Sequence, residues 1–151
     1  MIKFFKYFNE FNKEKRSLLK SIDRVLVSGQ FILGPEVKKF ENEFSKFIGT
    51  KYGVGVGNCT DAIYICLKAL NIGKGDEVIT AANTAIPTIT AIINSGAKPK
   101  LVDINENYLI DHKKIPTCIN KKTKAIIPVH LYGQTCDMKK ILKISKKYKL
   151  K

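Results

Sequence analysis

Arginine and histidine are scarce in this 151-residue chain: Arg16 and Arg24 are its arginines and His112 and His130 its histidines. The formal charge is nevertheless +14 at pH 7, carried by lysine. Lysines that neutralise phosphates drive salt-dependent binding to nucleic acid. Here they are strewn along helix faces, without the arginine forks or interleaved aromatics that read bases, so no nucleic-acid partner is expected. The densest group is Lys139, Lys140, Lys143, Lys146, Lys147, Lys149 and Lys151. The four cysteines, Cys59, Cys66, Cys118 and Cys136, include no C-x-x-C pair, and two histidines do little to complete a zinc set. Reduced structural thiols are expected, with no metal site and with Cys66 in the core. Long apolar runs are also missing. The opening MIKFFKYFNEFNKEKR is broken by Lys3, Lys6 and Glu10, so it has neither the apolar centre of a signal peptide nor the length of a membrane span. The expectation is a cytoplasmic protein with no membrane partner.

Apolar residues nonetheless make up 44% of the chain, and a chain of this length buries about 68–70% of its unfolded surface without staples. The most informative stretch is Gly53-Val54-Gly55-Val56-Gly57-Asn58-Cys59-Thr60-Asp61, a short apolar run that breaks into small polar residues before a helix-like segment from Ala62 to Leu70. The first N–H groups of a helix lack partners within it, and the helix dipole favours negative charge there, so this layout suits a phosphate. Thr60 adds a hydroxyl donor. A dinucleotide G-x-G-x-x-G would need glycine at Asn58 or Thr60, and a phosphate loop would need Gly-Lys-Ser/Thr; neither pattern is met. The same residues would equally serve a tight strand-to-helix turn that binds nothing.

Two amphipathic helices lead the chain. Leu18, Ile22, Val25 and Leu26 share one face; Val37, Phe40, Phe44, Phe47 and Ile48 share another, after Gly34-Pro35-Glu36 and closed by Gly49. Phe4, Phe5, Phe8 and Phe11 form a further apolar stripe suited to docking on a core or subunit. From residue 51 short β-like runs alternate with helices: strands at 52–56, 77–80, 99–104 and 124–129, and helices at 61–72, 86–95, 111–118 and 137–148. That alternation predicts an α/β fold with a mainly parallel sheet flanked by helices. Pro87 suits a first helical turn, Gly96 a helix end, and Asp111 and Asp137 helix caps. Ligands of such sheets gather at the strands' carboxyl ends, here 57–61, 81–86 and 129–135. Those loops hold Asn83, Thr84, His130, Tyr132 and Gln134. A lone histidine is ordinarily structural, but the position of His130 at a strand end makes it a candidate.

Five motifs follow one another in a recognisable order: Gly34-Pro35-Glu36-Val37 with Phe40-Glu41; Gly57-Asn58-Cys59-Thr60-Asp61-Ala62; Gly75-Asp76-Glu77-Val78-Ile79-Thr80; Gly96-Ala97-Lys98-Pro99 leading to Val102-Asp103; and Pro128-Val129-His130-Leu131-Tyr132-Gly133-Gln134. Together they resemble the DegT/StrS family of sugar aminotransferases, which depend on pyridoxal 5'-phosphate. The resemblance runs from about residue 14 onward. It implies the N-terminal part of the type I aminotransferase large domain, incomplete here, with residues 1–50 as an N-terminal helical segment and 51–151 as the cofactor-binding α/β portion. It also implies a homodimer at full length, a nucleotide-linked keto sugar as substrate and an amino acid as donor. By the same resemblance, Cys59 and Thr60 would hold the cofactor phosphate. Ala85 would stand where the family often places an aromatic residue against the cofactor ring. Glycine is usual where Cys59 stands, and both departures leave substrate preference open.

Two further groups are implied by the family and are not assigned here: the lysine that bonds the cofactor and the acid that keeps its ring nitrogen protonated. Both lie C-terminal to the motifs above, so the expectation is an N-terminal fragment with no catalytic residue of its own, inactive alone. The alternative is a truncated, non-catalytic protein that binds a partner.

Overall fold

The computed structural model describes residues 6–151, which fall into two compact units divided after Gly55. Phe4 and Phe5 of the expected aromatic stripe lie outside the described residues; Phe8 is exposed and Phe11 half-buried.

The first unit holds α1 (Tyr7–Ser28) and α2 (Pro35–Ile48). Both end at glycines in the left-handed region, Gly29 at φ 64° and Gly49 at φ 77°, where a side chain would be strained. Pro35 opens α2 from the first turn, where its missing N–H costs nothing. Ser45 is the one residue of these two helices that is buried. The apolar faces read from the sequence are formed and remain open: Ile22, Leu26, Phe40, Phe44 and Phe47 are all exposed. Residues 52–56, expected as a strand, take no regular structure. Two glycines, Gly53 and Gly55, weaken strand formation there, and Tyr52 and Val54 lie exposed instead of against a neighbouring strand.

The second unit is an α/β sandwich. In chain order it comprises α3 (Cys59–Ala69), β1 (Glu77–Ala81), α4 (Ile86–Asn94), β2 (Lys98–Val102), α5 (Ile115–Cys118), β3 (Thr123–Ile127), a 3-10 turn at Leu131–Gly133 and α6 (Met138–Tyr148). The three strands form one parallel sheet in the order β2-β1-β3. Alternation along the central strand feeds two cores. Val78 faces Leu67, Ile72, Ile92, Ala97 and Ala125, while Ile79 faces Val102, Ile110, Ile115, Ile126 and Ile141. Thr80, buried between strands, donates its hydroxyl to the Ile127 carbonyl at 2.9 Å, so its polar atom is satisfied.

Most element ends follow the local signals. Pro87 sits in the first turn of α4, Gly96 takes φ 92° just past it, and the Asp137 side chain accepts from the Lys140 N–H at the start of α6. The expected helix at 111–118 shortens to Ile115–Cys118. Asp111 caps a turn rather than that helix, its Oδ1 accepting from the Lys113 N–H at 2.9 Å. Cys66, expected in the core, is exposed on α3; the neighbouring Leu67 takes the buried position. No helix among the described residues is long and apolar enough to cross a membrane.

Candidate cofactor-phosphate site at the carboxyl end of the sheet

The start of α3 is built from Asn58. Its backbone is extended (φ −164°, ψ 174°), and its Oδ1 accepts from the Asp61 N–H at 2.9 Å. Its Nδ2 donates to the Asp61 carboxylate at 2.8 Å, and its carbonyl accepts from the Ala62 N–H at 3.1 Å. This reciprocal Asn–Asp pairing resembles a capping box, with an acid of the first turn reaching back to the cap. It accounts for the donors of Asp61 and Ala62. Those of Cys59 and Thr60 are left without an intrahelical partner at the positive end of the helix dipole. Cys59 is exposed and Thr60 half-buried, its hydroxyl within the same turn. A phosphate fits this donor set: two backbone N–H groups, one hydroxyl, and a preceding Gly57 whose missing side chain leaves the approach open. A Cβ on Gly57 would come within 3.3 Å of the Asp61 carboxylate. Asn58 was not among the expected site residues. The spacing Asn-x-x-Asp immediately before an apolar helix is the signal that marks it.

Ala85 is the N-cap of α4 (φ −65°, ψ 148°) and is exposed. Because α3 and α4 both lead back into strands that run parallel and pack on each other, their N-termini share the carboxyl end of the sheet. Between β1 and α4, Asn83 donates from Nδ2 to the Tyr108 carbonyl at 2.9 Å, and the Thr84 hydroxyl donates to that of Thr88 at 2.9 Å. Thr84 and Asn83 are thereby tied to their own surroundings.

The third loop leaves β3 through Pro128. His130 is exposed, and its Nδ1 accepts from the Cys136 N–H at 3.2 Å, which places the proton of the neutral ring on Nε2. The Cys136 thiol donates to the Val129 carbonyl at 3.2 Å; burial pushes this thiol up from its ordinary value, so it stays protonated and inert. Tyr132, held at φ 54°, is exposed, as is Gln134. Among the described residues no hydrogen bond joins the three loops to one another, and no group of three His, Cys, Asp or Glu side chains is arranged to hold a metal.

The model of the DegT/DnrJ/EryC1/StrS aminotransferase family matches residues 12–151. The dTDP-3-amino-3,6-dideoxy-alpha-D-galactopyranose transaminase of Aneurinibacillus thermoaerophilus is 49% identical over 138 residues, covering 91% of this chain and 38% of its own. Among solved structures, S. venezuelae DesV in complex with a ketimine intermediate superposes with a TM-score of 0.94 at 34% identity, over 99% of this chain and 40% of that one. The ntda protein of Bacillus subtilis with bound cofactor PMP gives 0.90 at 42% identity, over 93% and 32%. The chain thus spans about two fifths of the length of the curated relatives it matches.

Proposed function

This chain belongs to the DegT/DnrJ/EryC1/StrS aminotransferase family, and from that premise we propose that it forms part of a pyridoxal-phosphate-dependent enzyme that moves an amino group from an amino acid to a nucleotide-linked keto sugar. The sugar-nucleotide name of the Aneurinibacillus relative supports the substrate class, and the PMP bound to the Bacillus subtilis structure supports the cofactor. The observation that carries the reading in this chain is the start of α3, where Asn58 occupies the inner donors and leaves those of Cys59 and Thr60 for an anion.

In this reading the Cys59 and Thr60 N–H groups and the Thr60 hydroxyl hold the cofactor phosphate, and Ala85 borders the ring with less surface than an aromatic would give. When bound, the cofactor supplies an electron sink for the transfer of the amino group. The roles of this chain are to hold and orient; we assign none of its residues to proton transfer, and alone it does not transaminate. Residues 1–50 serve as a helical segment and 51–151 as cofactor-binding domain, in a cytoplasmic homodimer at full length. The open apolar faces of α1 and α2 are the kind of surface a second copy covers.

Titration of this chain with pyridoxal 5'-phosphate, followed by amide NMR, tests the assignment. The Cys59 and Thr60 signals shift, inorganic phosphate competes, and Thr60→Val weakens binding by about tenfold to a hundredfold, the worth of one hydrogen bond to a charged group. Shifts confined to other residues would remove Cys59 and Thr60 from the site. Turnover of glutamate and a dTDP-linked keto sugar by this chain alone would overturn its inactivity.

A further inference from the structure

The loop after β3 places a bulky side chain where its backbone is strained and leaves it in water. Tyr132 takes φ 54° and ψ 28°, Gly133 follows at φ 80°, and the Gln134 N–H donates to the Leu131 carbonyl at 3.0 Å. These values describe a type I′ turn, whose two central residues both need the left-handed backbone and are most often Asn-Gly. Gly133 meets that need without a side chain. Tyr132 meets it under strain, since its Cβ crowds the following carbonyl, and its ring, 97% exposed, gains nothing from burial in return. Asn71 and Lys149 also take positive φ, but just past the ends of α3 and α6, where the left-handed region is the ordinary way to end a helix. The turn around Tyr132 is held from both sides. Leu131 packs against the core around Ile79, and Cys136 is buried in that core. The Gly133 N–H donates to the His130 carbonyl at 3.2 Å, and His130 Nδ1 accepts from the Cys136 N–H at 3.2 Å. A strained residue persists only where its surroundings over-determine it, and such residues gather at ligand sites.

We propose that Tyr132 is a specificity-determining residue that contacts the nucleotide carrier of the substrate, its ring stacking on the base. Its loop leaves the carboxyl end of β3, which lies beside β1 in the sheet, and the Thr80 hydroxyl ties the two strand ends through the Ile127 carbonyl. The loop therefore borders the same end of the sheet as the candidate cofactor turn. The carbon that receives the amino group must sit at the cofactor, whereas a ring standing free at the tip of a loop suits the part of the substrate that lies farther out. An aromatic face stacks on any base, and the phenol hydroxyl adds one donor and an acceptor. With two side-chain torsions, tyrosine loses little conformational entropy when a ligand covers it, and a turn anchored on both sides aims the ring before the ligand arrives. This role rests on the functional reading for the class of ligand; the strain, exposure and anchoring of Tyr132 stand without it.

The test is titration of this chain with dTDP, followed by amide NMR, for the wild type, Tyr132→Asn and Tyr132→Phe. In the wild type the Tyr132 and Gly133 signals shift. Tyr132→Asn gives the turn its favoured Asn-Gly sequence, so the midpoint of urea unfolding is held or raised while dTDP binding weakens by at least about fivefold, the worth of one stacked base. Tyr132→Phe keeps the ring and is expected to lose less affinity than Tyr132→Asn. Unchanged dTDP affinity in Tyr132→Asn, or no shift at Tyr132 in the wild type, would overturn the role. A Tyr132→Asn variant less stable than the wild type would also overturn it, by showing that the ring serves the fold. Pyridoxal 5'-phosphate, titrated in parallel, separates the two readings. Cofactor shifts at Cys59 and Thr60, with dTDP binding indifferent to Tyr132, would uphold the cofactor site and remove Tyr132 from substrate binding. Loss of dTDP affinity in Tyr132→Asn, with no cofactor shifts at Cys59 or Thr60, would do the reverse.

Discussion

The helices of the first unit and those of the second both carry apolar faces, yet they end in opposite circumstances. On α1 no residue is buried, and on α2 only Ser45. On α3 and α4, Leu67 and Ile92 are seated out of water with Val78 of β1, and Ala91 is buried as well. The contrast teaches that periodicity reports a face made to be covered, and that what covers it need not lie nearby in sequence. A sheet supplies such a cover to α3, α4 and α6. Within residues 6–55 nothing of the kind exists, so the helical fold there rests on local propensity, caps and a few pairs such as stacked Phe40 and Phe44.

The sharpest way to break this comparison is to remove one apolar side chain from each unit. Ile79→Ala, at a position with no exposure, is expected to cost about 2–5 kcal/mol in urea denaturation, whereas Ile22→Ala is expected to cost less than about 0.5 kcal/mol at low protein concentration. Equal losses would show that the two units are buried alike. A cost of Ile22→Ala that grows with protein concentration would show instead that a second copy covers α1.

Next in size is the cap. Asn58→Ala removes both side-chain bonds to Asp61 and is expected to lower the stability of the second unit by about 1 kcal/mol, with the exchange of α1 and α2 amides unchanged. It also tests the phosphate site, because the Asp61 N–H it frees disorders the turn that aims Cys59 and Thr60. Unaltered pyridoxal-phosphate affinity in this variant would detach the cap from the site.

A smaller effect follows from Glu77, at the opposite end of the sheet. Asn120 donates to its carboxylate at 2.8 Å and Lys100 at 3.2 Å, which holds the carboxyl below its ordinary value of 4.5. A depressed carboxyl adds stability that is fully present above its unfolded value and is lost as pH falls through the folded one. Glu77→Gln should therefore flatten the decline of stability below about pH 4.5 and do little near neutrality; a wild-type slope retained in the variant would place the acid sensitivity elsewhere. The smallest change is expected at Arg24→Ala. Its 2.9 Å bond to Glu36 is exposed on both sides, so the loss should stay within about 0.5 kcal/mol and shrink further in salt.

Much of the fold was legible in the chain because its signals are local. Pro35 and Pro87 open helices, Gly49 and Gly96 close regions that need the left-handed backbone, and Val78-Ile79-Thr80 alternate between two faces. The parallel sheet followed from the alternation of strand and helix alone. What was misread depended on partners. Residues 52–56 have the composition of a strand, but Tyr52 and Val54 lie open to water with no strand beside them. Cys66 sits in an apolar run, and only the placement of α3 against β1 decided that Leu67 turns inward and Cys66 out. At the candidate site, the break between glycines and helix pointed to the turn and to the Thr60 hydroxyl, and the family resemblance to Cys59 and Thr60 as holders of the cofactor phosphate. Asn58 was missed although the spacing Asn-x-x-Asp before an apolar helix marks it as a cap.

The order of residues by itself determined membership of the aminotransferase family, most of the sequence of elements, and the small-residue turn that an anion can approach, since each of these is written in short-range chemistry. Tertiary structure alone decided that the strands order as β2-β1-β3, that Leu67 and not Cys66 turns inward, and that the apolar faces of α1 and α2 remain exposed. Those outcomes depend on groups brought together across the fold, whose hydrogen bonds and burial no local pattern contains.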